Sequence, residues 1–241
     1  MQVIFGKNLN RSGSPSLKIF EPIRITFLCG MMKCKKKTKV ERIPLMQIWL
    51  ARHGQTDLNL ANCWQGRIDQ PLNQTGRIQA QTMRKKLGDI TFDAVYASPL
   101  DRAVETASIL GNVDRSQIRI DPRLIEADFG KYDATKYLRP GSLPLVFFWA
   151  LPEILSQPKT VESIPDMIKR SQSFLRDLAE EEYQNVLITC HGGIMRVLTG
   201  CLLGKKSQYV WRPKPHNCEV RVFTPDGSHF RMTKDLLLPG K

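Results

Sequence analysis

Hydrophobic positions follow two different periods along the chain from Met46 onward. Short, continuously apolar runs occur at "MQIWLA", "FDAVYAS" and "NVLITC", and such runs are typical of strands that are buried on both faces. Between them, apolar residues recur every three or four positions, as they do in amphipathic helices. This alternation predicts an α/β fold with a mostly parallel central sheet and helices on both of its faces.

The helical spacing is clearest in four segments, which are residues 73–90, 99–111, 160–182 and 192–204. The first places Ile78, Met83 and Leu87 on one face, and the second is predicted to run from Pro99 in its first turn to Gly111 at its end. The apolar stripe of the third consists of Ile164, Met167, Ile168, Phe174, Leu175 and Leu178.

Three further patterns complete the predicted elements. "QIRIDPRLIE" is predicted to be extended, and residues 217–233 are predicted to form a β-hairpin around "PDG". Residues 131–160 are rich in Pro, Tyr, Phe and Trp and have no clear period, so no element is predicted there.

Polar residues that could bind a ligand or take part in a reaction follow three of the predicted strands. Arg52, His53 and Gly54 come directly after the first, Arg102 lies one turn into the helix after the second, and His191 follows "NVLITC". Ligands of such sheets bind at the carboxyl ends of the strands, so two arginines and two histidines are expected to converge there. Guanidinium groups bind phosphate oxygens through paired hydrogen bonds, and an imidazole can act as a nucleophile. The pattern indicates phosphoryl transfer.

A single buried histidine is more often a structural residue than a catalytic one. Here two of only four histidines follow predicted strands, and each of the two is followed by glycine. Glycines at a helix start allow backbone N–H groups to approach an anion. The pairing therefore favours a functional role.

Five motifs in order resemble those of the histidine phosphatase superfamily, also called phosphoglycerate mutase-like proteins. They are "ARHGQTDLN", "WQGRIDQPLNQTGRIQA", "YASPLDRAVETA", "LIEADFGKYDA" and "ITCHGGIMR", and they span about Met46 to Phe223. The resemblance implies the three-layer α/β/α fold of that family, with a histidine phosphatase domain over residues 46–241. Arg-His-Gly alone would be a weak signal, but five ordered matches are specific.

The resemblance implies a role for each matching residue. His53 would attack phosphorus and become a phosphohistidine, and Glu126 would protonate the leaving oxygen and later draw a proton from water. Neither a metal nor an organic cofactor is implied. The residues that would hold the phosphoryl group are Arg52, Arg102 and His191, and those that would add contacts to phosphate or substrate are Asn59 and Gln65.

One position departs from the family pattern. Where the family often has Trp-Glu-Gly shortly after its acid, this chain has Tyr132, Asp133 and Ala134. The aromatic and acidic characters are kept, whereas the glycine is replaced.

The spacing of the motifs favours the phosphatase branch. Mutases of the family resemble one another in a longer insertion between the acid and the second histidine, and Glu126 and His191 are close in sequence here. The predicted function is hydrolysis of a small phosphomonoester, such as α-ribazole phosphate or a sugar phosphate, under a lid at about residues 131–160. The alternatives are mutase-type phosphoryl transfer and an inactive phosphate-binding regulator.

The net charge of +13 is concentrated in residues 1–45, which carry +8 and leave only +5 for the other 196 residues. We expect this basic leader to be disordered, the alternative being a segment that binds a membrane surface or nucleic acid. No nucleic-acid partner is expected for the rest of the chain. Six scattered cysteines without CxxC pairs and the absence of a membrane-length apolar run favour a cytoplasmic protein with reduced thiols.

Overall fold

A computed structural model describes residues 46–240 of the chain. The predictions for the basic leader, residues 1–45, lie outside the described residues. Within the described segment, no helix is both long enough and apolar enough to cross a membrane.

Six strands form one sheet in the order β3-β2-β4-β1-β5-β6. The first four strands in this order run parallel, while β5 is antiparallel to β1 and β6 is antiparallel to β5. The predicted mostly parallel sheet is therefore confirmed, as is the terminal hairpin. The strands are β1 (Gln47–Arg52), β2 (Ala94–Ala97), β3 (Arg119–Ile120), β4 (Asn185–Cys190), β5 (Val220–Asp226) and β6 (His229–Leu236).

Helices cover both faces of the sheet and give three layers. Alternate residues of β1 point to opposite faces, so Leu50 joins one apolar cluster and Trp49 the other. The Leu50 side is covered by α4, α5 and α6, and the Trp49 side by α2 and α3. The helices are α1 (Asp57–Leu60), α2 (Gln74–Leu87), α3 (Asp101–Gly111), α4 (Leu143–Ala150), α5 (Ile164–Ala179) and α6 (Gly192–Leu202).

The sequence-based elements differ from the structure mainly at their ends. Helix α3 begins at Asp101, two residues after Pro99, and the left-handed residue that closes it is Asn112 instead of Gly111. In α2, Ile78 is exposed, and the small Ala80 lets the helix approach the sheet beside the buried Met83.

The predicted extended segment at residues 117–126 is only briefly a strand. Pairing with β2 is limited to Arg119 and Ile120, and residues 122–124 form a 3₁₀ turn. Pro122 has no N–H to donate to a neighbouring strand, and the side chain of Asp121 caps the turn by accepting a hydrogen bond from the Arg123 backbone.

Residues 131–160 contain one helix that the sequence pattern did not predict. Helix α4 is apolar nearly all round: Leu145 and Phe148 are buried, whereas Phe147 is exposed. Pro144 lies in the first turn, where the missing N–H has no helical partner to lose. The helix thus packs on the body while part of its surface stays open.

Ala134 occupies the position where the family often has glycine, and its φ of 58° lies in the left-handed region. A left-handed conformation costs an alanine about 1–2 kcal/mol. Ala134→Gly is expected to raise the free energy of unfolding by about 0.5–1 kcal/mol after the greater chain entropy of unfolded glycine is subtracted. Urea unfolding checks this value.

Ala61→Gly is the matched control, because Ala61 is also exposed but has a right-handed φ of −75°. It is expected to lower the free energy of unfolding by a similar amount. Equal destabilisation by both substitutions would contradict the strain assigned to Ala134.

Candidate active site

The carboxyl ends of β1, β2 and β4 are in register at one edge of the sheet. Arg52 of β1 lies beside Cys190 of β4, and Thr189 of β4 lies beside Ala97 of β2. The residues that follow these strands therefore meet, as the sequence predicts. Arg52, His53, Arg102, Glu126 and His191 are all buried in this region.

The imidazole of His53 has a defined tautomer. Its Nδ1 lies 2.7 Å from the carbonyl oxygen of Gly54, which can only accept a hydrogen bond. Nδ1 therefore carries the proton and donates it to Gly54. In the neutral ring this leaves the lone pair on Nε2, which is the atom that can attack phosphorus.

The surroundings of His53 favour its neutral form. Burial lowers its pKa well below the ordinary value of 6.5, and the positive charges of Arg102 and Arg52 lower it further. Only the hydrogen bond to Gly54 acts in the opposite direction. A nucleophile needs a free lone pair, so this environment suits attack near neutral pH.

His191 lies against His53, with ring centroids 5.1 Å apart. The Nε atom of Arg102 donates to Nδ1 of His191 over 3.2 Å, so the proton of a neutral His191 is on Nε2 and is directed to Ser98 Oγ at 2.7 Å. Burial and the charge of Arg102 lower the pKa of His191 well below 6.5. Both ring nitrogens of His191 are thus engaged by the protein.

The two arginines differ in how they are held. Arg102 is fully buried, and its guanidinium donates to the carbonyl oxygens of Gly66 and Ile68 at 2.7 Å each. Burial lowers its pKa to about 10, so it stays charged at neutral pH. Arg52 donates to the carbonyl of Pro215 at 2.7 Å, while its buried Nε has no partner among the described residues.

Backbone N–H groups hold the carboxyl group of Glu126. Its Oε2 accepts from Gly193 at 2.9 Å, and its Oε1 accepts from Ile194 at 3.2 Å and from Ala127 at 2.9 Å. A Cβ atom on Gly193 would lie 2.6 Å from Oε1, so a larger residue here would displace the carboxyl group from this position. The start of α6 therefore fixes the direction of the acid.

Asn59 and Gln65 belong to one hydrogen-bond network beside His53. The Gln65 carbonyl accepts from Thr56 at 2.7 Å and from Asn59 at 3.3 Å, and Asn217 donates to both Asn59 and the His53 carbonyl at 3.1 Å. With its oxygen occupied, Gln65 has its Nε2 buried and without a partner among the described residues. That amide is available to a ligand oxygen.

The site opens into a cavity of about 320 Å³, which is within the range of small-molecule pockets. Besides six of the residues already described, its walls include an apolar and aromatic face and two further cations. The apolar face consists of Trp64, Phe129, Val146, Trp149 and Ala150, and the further cations are Arg196 and Lys214. The cavity therefore has room for an organic group beyond a phosphate.

The motifs, the fold and the clustered residues agree with one known protein family. A sequence model described as "Histidine phosphatase superfamily (branch 1)" matches residues 48–235. The chain belongs to the histidine phosphatase superfamily. The resemblance seen in the five sequence motifs is thereby confirmed.

Relatives within the superfamily carry the names of different phosphatases. The chain is 29% identical over 169 residues to the adenosylcobalamin/alpha-ribazole phosphatase of Escherichia coli K12. This alignment covers 69% of this chain and 83% of the relative. The chain is also 30% identical over 168 residues to the glucosyl-3-phosphoglycerate phosphatase of Mycobacterium tuberculosis H37Rv. That alignment covers 64% of this chain and 74% of the relative.

A solved superfamily structure has the same fold. The alpha-ribazole phosphatase from Shigella flexneri superposes with a TM-score of 0.67 at 28% identity, covering 78% of this chain and 94% of that one. The predicted phosphoglycerate mutase-like three-layer fold is thus confirmed.

The structure brings together all seven site residues that the sequence singled out. It adds four polar residues beside them that sequence reasoning did not name as site residues. Ser98 and Arg196 stand within the quoted motifs "YASPLDRAVETA" and "ITCHGGIMR", so their place in the site could have been found there. Asn217 and Lys214 come from the loop before β5, for which the sequence offered no signal.

Burial of two neutral histidines makes stability dependent on pH. Unfolded His53 and His191 take up protons below the ordinary pKa of 6.5, whereas the folded forms do not because their pKa values are lowered. The free energy of unfolding is therefore expected to fall as pH drops below 6.5, by about 1.4 kcal/mol per pH unit for each histidine. Urea unfolding at several pH values should show a smaller slope for His53→Asn; an unchanged slope would contradict the lowered pKa.

Proposed function

We propose that the protein hydrolyses a small-molecule phosphomonoester through a phosphohistidine intermediate on His53. The observation that carries this proposal is the free Nε2 of a buried, neutral His53 beside two arginines at the edge of a substrate-sized cavity. Relatives named as phosphatases support the reaction class.

In the first step, Nε2 of His53 attacks phosphorus while the bond from phosphorus to the ester oxygen breaks. The leaving oxygen takes a proton from the carboxyl group of Glu126, so the alcohol departs neutral and Glu126 becomes a carboxylate. The Nδ1–H bond to Gly54 stays in place and stabilises the positive charge that the substituted ring acquires.

In the second step, water attacks the phosphohistidine from the side that the alcohol has left. Glu126 accepts a proton from this water as the bond from phosphorus to Nε2 breaks. Inorganic phosphate leaves, the lone pair returns to Nε2, and Glu126 is protonated again. The two steps together hydrolyse one ester bond and leave the enzyme unchanged.

The cations stabilise the transferring phosphoryl group in both steps. Arg102 is rigid because backbone carbonyls and His191 hold its guanidinium, and Arg52 has a buried Nε free to donate. Preorganised donors of this kind act on developing charge without reorganisation, which is usually the largest contribution to catalysis. Gln65 would add a further donor through its Nε2.

We further propose that residues 131–160 act as the lid of the site. Tyr137 of this segment lines the cavity together with Val146, Trp149 and Ala150 of α4. The segment between Glu126 and His191 contains helices α4 and α5, without the longer insertion that is typical of the mutases. A short lid gives water access to the phosphohistidine, which favours hydrolysis over transfer to a second metabolite.

A screen of phosphomonoesters tests the proposed function. Purified protein is expected to release inorganic phosphate from several monoesters, and 3-phosphoglycerate is included with a readout for its isomerisation. Strong isomerisation of 3-phosphoglycerate would establish a mutase in place of a phosphatase. Phosphate binding without turnover of any ester would establish an inactive regulator.

A further inference from the structure

Two cations in the cavity have no part in the proposed phosphoryl transfer. Arg196 of α6 and Lys214 of the loop before β5 both line the cavity. Neither forms an ion pair with any residue in the described range 46–240. A cation that is partly removed from water is favourable when an anion faces it, so the absence of a protein partner among these residues points to a ligand.

Arg196 is held by an aromatic ring. Its guanidinium carbon lies 4.8 Å from the ring centroid of Trp211, and its Nε is buried without a hydrogen-bond partner among the described residues. Burial is the main cause that lowers its pKa to about 10, so it remains a cation at neutral pH. This cation–π contact restrains the guanidinium group while leaving its N–H groups to donate.

Lys214 lies at the rim of the cavity on a loop that is firmly anchored. Its Nζ is 5.1 Å from the ring centroid of Tyr137, and its residue is exposed on the outer side. The loop is tied to the body by Arg52, which donates to the Pro215 carbonyl at 2.7 Å, and by Asn217, which donates to the His53 carbonyl. The ammonium group is therefore positioned beside the catalytic residues.

The charges around the cavity exceed what one phosphate can balance. Arg52, Arg196 and Lys214 line the cavity, and Arg102 lies next to it beside His53. Glu126 is the one acidic residue among the residues that line the cavity. A phosphomonoester brings a charge of about −1.5 to −2 at pH 7. At least about one positive charge is left over if Glu126 is ionised, and about two if it is protonated as the first step requires. The excess lies on the side of Arg196 and Lys214 because Arg52 and Arg102 flank His53.

Hydrogen-bond donors without partners are also concentrated here. Among residues 46–240, every buried side-chain polar atom that lacks a partner is an N–H donor in a residue lining this cavity, and none is an acceptor. They are Arg52 Nε, Trp64 Nε1, Gln65 Nε2, Trp149 Nε1 and Arg196 Nε. Buried donors normally have partners, so a ligand rich in acceptor oxygens would satisfy this set.

We propose that the substrate carries a second anionic group in addition to its phosphoryl group, and that Arg196 and Lys214 bind this second group. The part of the substrate between the two anions packs against the apolar face formed by Trp64, Phe129, Val146, Trp149 and Ala150. This inference rests on the proposed phosphatase function, and it narrows the substrate class to phosphomonoesters of apolar or aromatic acids.

Two esters of equal size test the inference. 4-Carboxyphenyl phosphate and 4-carbamoylphenyl phosphate differ by one negative charge, so the ratio of their kcat/KM values measures recognition of that charge. We expect Lys214→Met to lower this ratio about tenfold, because one charge-assisted contact is lost. The matched control Lys206→Met, which replaces another exposed lysine, should keep the ratio of the wild type.

Charge reversal and charge retention sharpen the test. Lys214→Glu should favour the carbamoyl ester over the carboxy ester, whereas Lys214→Arg should keep the wild-type preference. The wild-type preference should also decline above pH 8, because loss of hydration and the charges of Arg52 and Arg196 lower the pKa of Lys214 to about 8. The Arg variant should not show that decline. An unchanged ratio in both Lys214→Met and Lys214→Glu would overturn the inference.

A binding measurement separates this inference from the proposed function. In the His53→Ala variant, calorimetric titration with each ester gives dissociation constants without turnover. Tighter binding of the carboxy ester supports the second anion site, and equal binding of the two esters overturns it. Turnover of either ester by His53→Ala would contradict the phosphohistidine mechanism, whatever the two dissociation constants are.

Discussion

His53→Ala is expected to lower kcat/KM by about 10⁴-fold or more on every ester that the wild type hydrolyses. The reason is that, among the described residues of the site, no other imidazole is free to replace it. The one other histidine in the site, His191, uses Nδ1 to accept from Arg102 and Nε2 to donate to Ser98. Steady-state phosphate release measures the loss.

A control separates lost chemistry from lost structure. His216 is exposed and lies in the loop before β5, so His216→Ala should keep wild-type turnover. Thermal unfolding of both variants should confirm that each is folded. A folded His53→Ala variant with more than about a tenth of wild-type kcat/KM would contradict the assignment of the nucleophile, since loss of a nucleophile costs several orders of magnitude.

Glu126→Gln is expected to have the second largest effect, and that effect should depend on the leaving group. For an alkyl phosphate, whose alcohol must be protonated as it leaves, kcat/KM should fall by about 10²–10⁴-fold. For 4-nitrophenyl phosphate, which leaves as a stable anion, the fall should be much smaller. Activation of water is also lost, so phosphoenzyme should accumulate and give a burst of 4-nitrophenol.

The same substitution also disturbs the hydrogen bonds of the acid. Both oxygens of Glu126 accept from backbone N–H groups, so the NH₂ group of glutamine would face a donor such as Gly193 or Ile194. This clash is expected to cost about 1–3 kcal/mol of unfolding free energy. A purely structural defect would lower the rates of all esters alike, so equal losses on alkyl and nitrophenyl esters would contradict the acid role.

The sequence was sufficient to bring His53 and His191 to one site because their positions follow from strand ends. Continuous apolar runs identify β1 and β4, and polar residues that follow parallel strands are brought to one edge by geometry alone. Thus His53 and His191 could be paired without any coordinates. Glu126 could not be placed in this way, because it lies between two 3₁₀ turns, and it was identified through the family resemblance.

Features that depend on tertiary contacts were not predictable from the pattern. Helix α4 is apolar on the side that packs on the body and on part of its remaining surface, so its sequence lacks the alternation by which a helix is recognised. Lys214 lies in a loop whose position depends on the contact of Pro215 with Arg52 and of Asn217 with the His53 carbonyl, both far away in sequence. Neither signal is local.

Rapid quenching during turnover, followed by identification of the phosphorylated atom, tests the role of His53 most directly. The hydrogen bond from Nδ1 of His53 to the Gly54 carbonyl leaves Nε2 as the nucleophile. We predict an acid-labile phosphoryl group on Nε2 of His53, located by mass spectrometry of the residue and by NMR of the phosphohistidine isomer. Phosphorylation at Nδ1, phosphorylation of another residue, or turnover with no phosphoenzyme and inversion at phosphorus would contradict the mechanism.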